Sequence, residues 1–61
     1  MRLDTLTVLG PAEVTRLLNK QDPSVAVTLA LAEALQGKTD RARAYLDVAR
    51  ALVRYNNKGE A

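Results

Sequence analysis

Apolar residues recur at helical spacing along most of this chain. Val14, Leu17 and Leu18 follow the i, i+3, i+4 pattern that places them on one face of a helix. Two longer apolar segments come after them, joined by a short polar linker. The pattern therefore predicts an all-α fold in which the last two helices form an antiparallel hairpin. The three predicted helices span residues 11–19, 23–36 and 39–56.

Capping signals mark the ends of the two longer helices. Asp22 followed by Pro23 predicts a helix start, because an Asp side chain accepts hydrogen bonds at the N-cap and proline suits the first helical position. Gly37 fits the left-handed position that commonly follows a helix end. Either Thr39 or Asp40 then caps the last helix. A single tight hinge is expected between the two.

The first nine residues carry a mixed pattern. Thr5 to Leu9 combines β-branched residues with leucine, as a short strand does, but the segment could equally be extended chain that packs its leucines on the helices. Gly10 and Pro11 end it. We therefore predict a short extended arm over residues 1–9. At the other terminus we expect residues 58–61 to fray.

The helix predicted at residues 23–36 is apolar nearly all round. Val27, Leu31 and Leu35 form a bulky ridge, and alanines at i, i+4 spacing form a stripe. The stripe has two interpretations: alanine lets helices approach closely across a two-fold axis, or it is present as the best helix former. Such a helix normally lies buried, so the hairpin carries more apolar surface than it can hide.

The last predicted helix has a core stripe and adds a second apolar sector that faces away from it. The core stripe consists of Ala42, Tyr45, Leu46, Ala49, Leu52 and Val53. Three short helices cannot enclose both sectors, so we predict a homodimer or higher oligomer built on the last two helices, with another protein as a further partner. The candidate interface residues are Val27, Leu31, Leu35, Ala26, Ala30, Ala34, Val48 and Tyr55.

Composition excludes most kinds of catalytic and metal site. The 61 residues include no Cys and no His, which removes disulfides, thiolate metal sites and the usual general base near neutral pH. The carboxylates are scattered and form no calcium-type loop. We therefore expect no catalytic residue, no metal and no cofactor, and a protein that is not an enzyme.

Hydropathy gives no membrane signal. The longest strongly apolar run, residues 25–35, is too short to span a bilayer and contains Glu33. The first nine residues hold Asp4 and several polar positions where a secretory signal would be apolar. We expect a cytoplasmic protein. Since Glu33 interrupts an apolar helix, we expect it to face solvent or to pair across an interface with Arg16, Arg41 or Arg43.

Charge is distributed unevenly along the chain. The net charge is +2, with three basic against four acidic groups in residues 1–37 and six basic against three acidic groups in residues 38–61. Arg43, Arg50 and Arg54 fall within a sector of roughly 60° of the last helix and could contact phosphates. Asp47 lies close enough in sequence to pair with two of them, as on an ordinary solvated helix face.

The span from Val25 to Leu52 resembles a single tetratricopeptide-type hairpin. The small residues, the glycine of the turn and the large residue flanked by alanines that this family uses correspond here to Ala30, Gly37, Ala42, Leu46 and Ala49. The chain departs from the family pattern, because alanine and glutamate stand where large aromatics are usual and no second copy of the repeat follows. The resemblance implies hairpin geometry and no ligand residues.

Residues 10–19 followed by Pro23-Ser24-Val25 resemble the opening of an excisionase-type helix-turn-helix. In that family the second helix reads the major groove with side chains such as Arg, Lys, Asn or Gln. Residues 24–28 contain none of these, and only Lys20 and Gln21 in the turn could help. An ordinary capped helix followed by a turn explains the segment better.

Together these patterns predict a small non-enzymatic interaction or assembly protein, such as an adaptor or regulator, that acts as a homo-oligomer. The alternative is a small nucleic-acid-binding regulator that contacts phosphates through Arg43, Arg50 and Arg54.

Overall fold

The computed structural model describes residues 3–60, with side chains described as far as residue 57. The described chain is all-helical, as predicted, but it holds four helices instead of three: α1 (Leu3–Leu9), α2 (Pro11–Lys20), α3 (Pro23–Leu35) and α4 (Thr39–Glu60). The long helix α4 sets the length of the molecule, which measures 37 × 20 × 16 Å.

The predicted extended arm is wrong over residues 3–9, which form α1. Packing against α4 outweighs the weak helix propensity of the β-branched residues here. Thr5 is buried, and its Oγ1 donates a hydrogen bond to Asp47 Oδ2 at 2.7 Å. Thr7 Oγ1 donates to the carbonyl of Leu3 one turn earlier, at 3.2 Å. Residues 1 and 2 of the predicted arm lie outside the described residues.

The capping chemistry read from the sequence is present around α3. Asp22 Oδ1 accepts hydrogen bonds from the backbone N–H and the hydroxyl of Ser24, at 3.0 and 2.7 Å. At the other end Gly37 has φ 78°, and its N–H donates to the carbonyl of Ala34. The N–H of Lys38 donates to the carbonyl of Glu33, which completes a Schellman-type end. This end turns the chain directly into α4.

Helix α4 continues past its predicted end at residue 56 and runs to Glu60. Asn56 and Asn57 are both helical. Asn56 Nδ2 donates to the carbonyl of Gln21 at 3.5 Å, which links this turn of α4 to the α2–α3 connection. The predicted frayed tail therefore begins inside a helix, and Ala61 lies outside the described residues.

The core lies between α3 and α4, which pack along each other as the predicted hairpin. Helix α2 adds Leu17 to this core, and α1 adds Leu9 at its edge. The buried cluster consists of Leu17, Ala26, Ala30, Tyr45, Val48, Ala49 and Leu52.

Candidate functional site

The outer face of α3 is apolar and open. Val27, Leu31 and Leu35, which we call the α3 ridge, expose 47%, 60% and 80% of their surface. Ala34 beside them is exposed too. These four candidate interface residues therefore share one accessible face of the protomer, as the helical wheel predicts.

Three other candidate interface residues do not lie on the surface. Ala26, Ala30 and Val48 are buried inside the protomer, so a partner on the surface of this fold cannot reach them. Ala26 and Ala30 belong to the cluster that joins α3 to α4, so the close approach permitted by alanine takes place within one chain. The structure thus places these three residues in the core of the protomer, and the oligomer interface itself stays a prediction.

Tyr55 is exposed but lies apart from the α3 ridge. It stands roughly 160° around α4 from Val53, which lines the same groove as Val27. The structure therefore does not bring Tyr55 together with the other candidate interface residues.

Two residues of α4 extend the apolar face and were not predicted to do so. Leu46 and Val53 are about half exposed and line a groove together with Val27 of α3. We call these three residues the apolar strip. The sequence pattern placed Leu46 and Val53 in the core stripe of the last helix. Their seven-residue spacing beside the arginine sector was the signal that they share its exposed side.

The groove has a volume of about 980 Å³, with α4 as its floor and α1 and Val27 at its two sides. Arg43, Arg50 and Arg54, which we call the arginine row, all line it and are exposed. Within the part of the chain whose side chains are described, none of the three forms an ion pair. The predicted phosphate-contact residues are thus brought together in one open groove.

Acidic residues border the row on the side of α1. Asp4, Asp40 and Asp47 line the same groove, and Asp47 accepts the hydrogen bond from Thr5 described above. On the helical wheel Asp47 stands roughly 40° from Arg43, and Leu46 stands about 40° from Arg50 on the other side. The groove surface therefore carries three parallel bands: apolar, basic and acidic.

A polar network on another side of the molecule joins all four helices. Glu33 Oε1 of α3 pairs with Arg41 Nε of α4 at 3.2 Å. A terminal nitrogen of Arg41 donates to the hydroxyl of Tyr45 at 3.3 Å, and that hydroxyl donates to Glu13 Oε2 of α2 at 3.1 Å. The other terminal nitrogen donates to the carbonyl of Val8 in α1 at 3.4 Å. The expected arginine partner of Glu33 is thus Arg41 of the same chain.

Burial and hydrogen bonds shift the pKa values of three groups in this network. Burial raises the pKa of Tyr45, and its hydrogen bond to Glu13 raises it further. The hydrogen bond from Arg16 lowers the pKa of Glu13, with a smaller lowering from Tyr45. The hydrogen bond to Glu33 raises the pKa of Arg41, whose guanidinium lies 5.7 Å from the centre of the Tyr45 ring. These groups link the four helices to one another.

The described residues contain neither a metal-binding cluster nor a membrane-spanning helix. No three carboxylates of residues 3–57 come close enough together to form a metal-ion site. No helix in the described range has both the length and the hydropathy needed to cross a bilayer.

Comparison with protein families, with curated proteins and with solved structures finds no match to this chain. The tetratricopeptide-type and excisionase-type resemblances stay predictions. The described residues present two open surfaces, which are the α3 ridge and the groove that holds the arginine row and the apolar strip.

Proposed function

We propose that this chain is a small non-enzymatic interaction or assembly protein that acts as a homo-oligomer through the α3 ridge. The supporting observation is that the ridge exposes large apolar side chains next to a core that is already complete without them. Contiguous apolar patches of this kind usually mark protein interfaces.

The size of the chain supports self-association. A protomer of 61 residues buries only about 60% of the surface that its unfolded form exposes, and such small scaffolds usually gain stability from disulfides, metals or oligomers. Cysteine and histidine are absent from the sequence, which leaves association as the available route. A two-fold axis through the α3 ridge would pack Leu31 and Leu35 on the same ridge of a second copy. A cytoplasmic location is part of this proposal and is compatible with a cysteine-free chain.

The test is Leu31→Asp. Leu31 is outside the core, so the variant should keep its helix content, while a charge at the centre of the ridge should weaken self-association by at least about thirtyfold. Sedimentation equilibrium over a range of concentrations measures the association, and far-UV circular dichroism measures the helix content.

Ala32→Asp is the matched control. It places the same side chain on the same helix at an exposed position, roughly 100° around α3 from Leu31, and should leave the mass unchanged. A wild-type chain that sediments as a single protomer at high concentration would contradict the proposal. An unchanged mass for Leu31→Asp would contradict the placement of the interface.

A second candidate function is phosphate contact by the arginine row. It is supported by three exposed arginines that line one groove and pair with no described acid. An electrophoretic shift of an oligonucleotide that weakens steeply with salt, and disappears when Arg43, Arg50 and Arg54 are changed to Gln, would favour this nucleic-acid function. Absence of a shift at low salt would leave the protein-partner function.

A further inference from the structure

We infer that the groove between α1 and α4 is a docking site for an amphipathic α-helix of a different protein, one with acidic residues beside its apolar ridge. The inference goes beyond self-association, because it assigns a second partner to the surface next to the α3 ridge.

The banding of the groove fits a helix of that kind. The arginine row extends over about 16 Å along α4, which is about three turns of a docked helix. The apolar strip follows its edge on the side of α3, through Val27, Leu46 and Val53. A helix with apolar residues at i, i+3 or i+4 and i+7 would cover the strip, while carboxylates next to that ridge would reach the row.

A second copy of this chain does not fit the same place. A two-fold axis that passes through the arginine row turns the row onto itself, so Arg43, Arg50 and Arg54 would face arginines of the second copy. Shifting the axis to the α3 ridge leaves the row uncovered. The exposed positions of α3 itself carry no carboxylate, and Glu33 of this helix pairs with Arg41 of the same chain. Acidic groups from another protein would therefore complement the row better than a second copy does.

A nucleic acid also fits less well than an acidic helix. Phosphates would meet Asp40 and Asp47 on one side of the row and would leave the apolar strip uncovered on the other. An amphipathic helix satisfies both bands, because its carboxylate row is one side chain wide and its apolar ridge lies directly beside it.

The experiment uses dye-labelled synthetic helical peptides and fluorescence anisotropy. The probe peptide carries a leucine ridge with a row of glutamates beside it, and its matched control has every such glutamate replaced by lysine. The glutamate peptide should bind about tenfold or more tightly than the lysine peptide, and the difference should shrink as salt is raised.

Charge reversal in the protein makes the test specific. Arg50→Glu should weaken binding of the glutamate peptide by about fivefold and strengthen binding of the lysine peptide. Lys20→Glu changes the net charge by the same amount but lies on α2, outside the groove. It should change the affinity for either peptide by no more than about twofold. Val53→Asp should weaken binding of the glutamate peptide, because it places a charge in the apolar strip. Circular dichroism of each variant confirms that its helices are retained.

Several outcomes would overturn the inference. Equal binding of the two peptides, or an unchanged preference in Arg50→Glu, would exclude recognition of an acidic helix by the row. Competition by a duplex oligonucleotide that binds more tightly than the glutamate peptide would assign the row to nucleic acid instead. Because sedimentation measures self-association and anisotropy measures docking, either proposal can fail without the other.

Discussion

The network centred on Tyr45 gives the sharpest prediction about stability. Tyr45→Phe removes only a hydroxyl from a side chain that is 2% exposed, so it creates almost no cavity. It deletes the hydrogen bond donated to Glu13 at 3.1 Å and the one accepted from Arg41 at 3.3 Å. It therefore separates the polar contribution of Tyr45 from its packing.

The expected loss follows from the charge and exposure of the two partners. Hydrogen bonds to charged groups contribute about 1.5–3 kcal/mol, but Glu13 and Arg41 are partly exposed and can regain water, so the total loss should be about 1–2 kcal/mol. A domain of this size has a total stability of about 3–9 kcal/mol. The loss should therefore lower Tm by about 5–15 °C.

Tyr55→Phe is the matched control within the same helix. Tyr55 is 64% exposed, and its hydroxyl makes no hydrogen bond to a described residue, so its removal should change stability by less than about 0.5 kcal/mol. Thermal and urea unfolding, followed by circular dichroism at one protomer concentration, measure both variants. If the two substitutions changed the free energy of unfolding equally, the network would not stabilise the fold.

Two further predictions concern the stability of α1 and the effect of low pH on unfolding. Thr5→Val removes the hydrogen bond to Asp47 and should destabilise the packing of α1 by about 1 kcal/mol. Amide hydrogen exchange across Leu3–Leu9 should therefore be faster in this variant than in Thr7→Val, a control at an exposed position of the same helix. The pKa of Glu13 is lowered in the folded chain, so its stabilising contribution is complete above the ordinary pKa of glutamate and is lost as pH falls through the folded value. Glu13→Gln should therefore flatten the acid side of a curve of unfolding free energy against pH.

Local signals predicted the middle of the fold well. Asp22, Pro23 and Gly37 act on the backbone within a few residues, so their effect does not depend on what packs nearby, and the structure places all three as caps of α3. Local signals did not predict the helix at residues 3–9. There the β-branched residues favour extended chain locally, and contact with α4, far away in sequence, stabilises the helix instead.

The helical wheel correctly grouped Val27, Leu31 and Leu35 on one face, but it did not separate the other candidate residues into buried and exposed ones. Periodicity shows which residues share a face, but it cannot show which face turns inward when a helix is apolar all round. Ala26 and Ala30 were therefore grouped with residues that turn out to lie on the surface. Leu46 and Val53 were assigned to the core for the corresponding reason, because their position beside the arginine row becomes meaningful only once α3 is in place.

The orientation of α3 leaves its bulkiest apolar side chains on the surface. Surface helices usually turn their bulkiest apolar residues inward, where burial stabilises the fold most. In α3 the two fully buried positions are the alanines Ala26 and Ala30, while Leu31 and Leu35 project outward. Turning the helix over would bury both leucines, but it would also push them into α4, where the alanines now allow close packing. The exposure of the ridge is therefore a consequence of how α3 packs against α4. A partner that covered the ridge would bury the apolar surface that this packing leaves exposed.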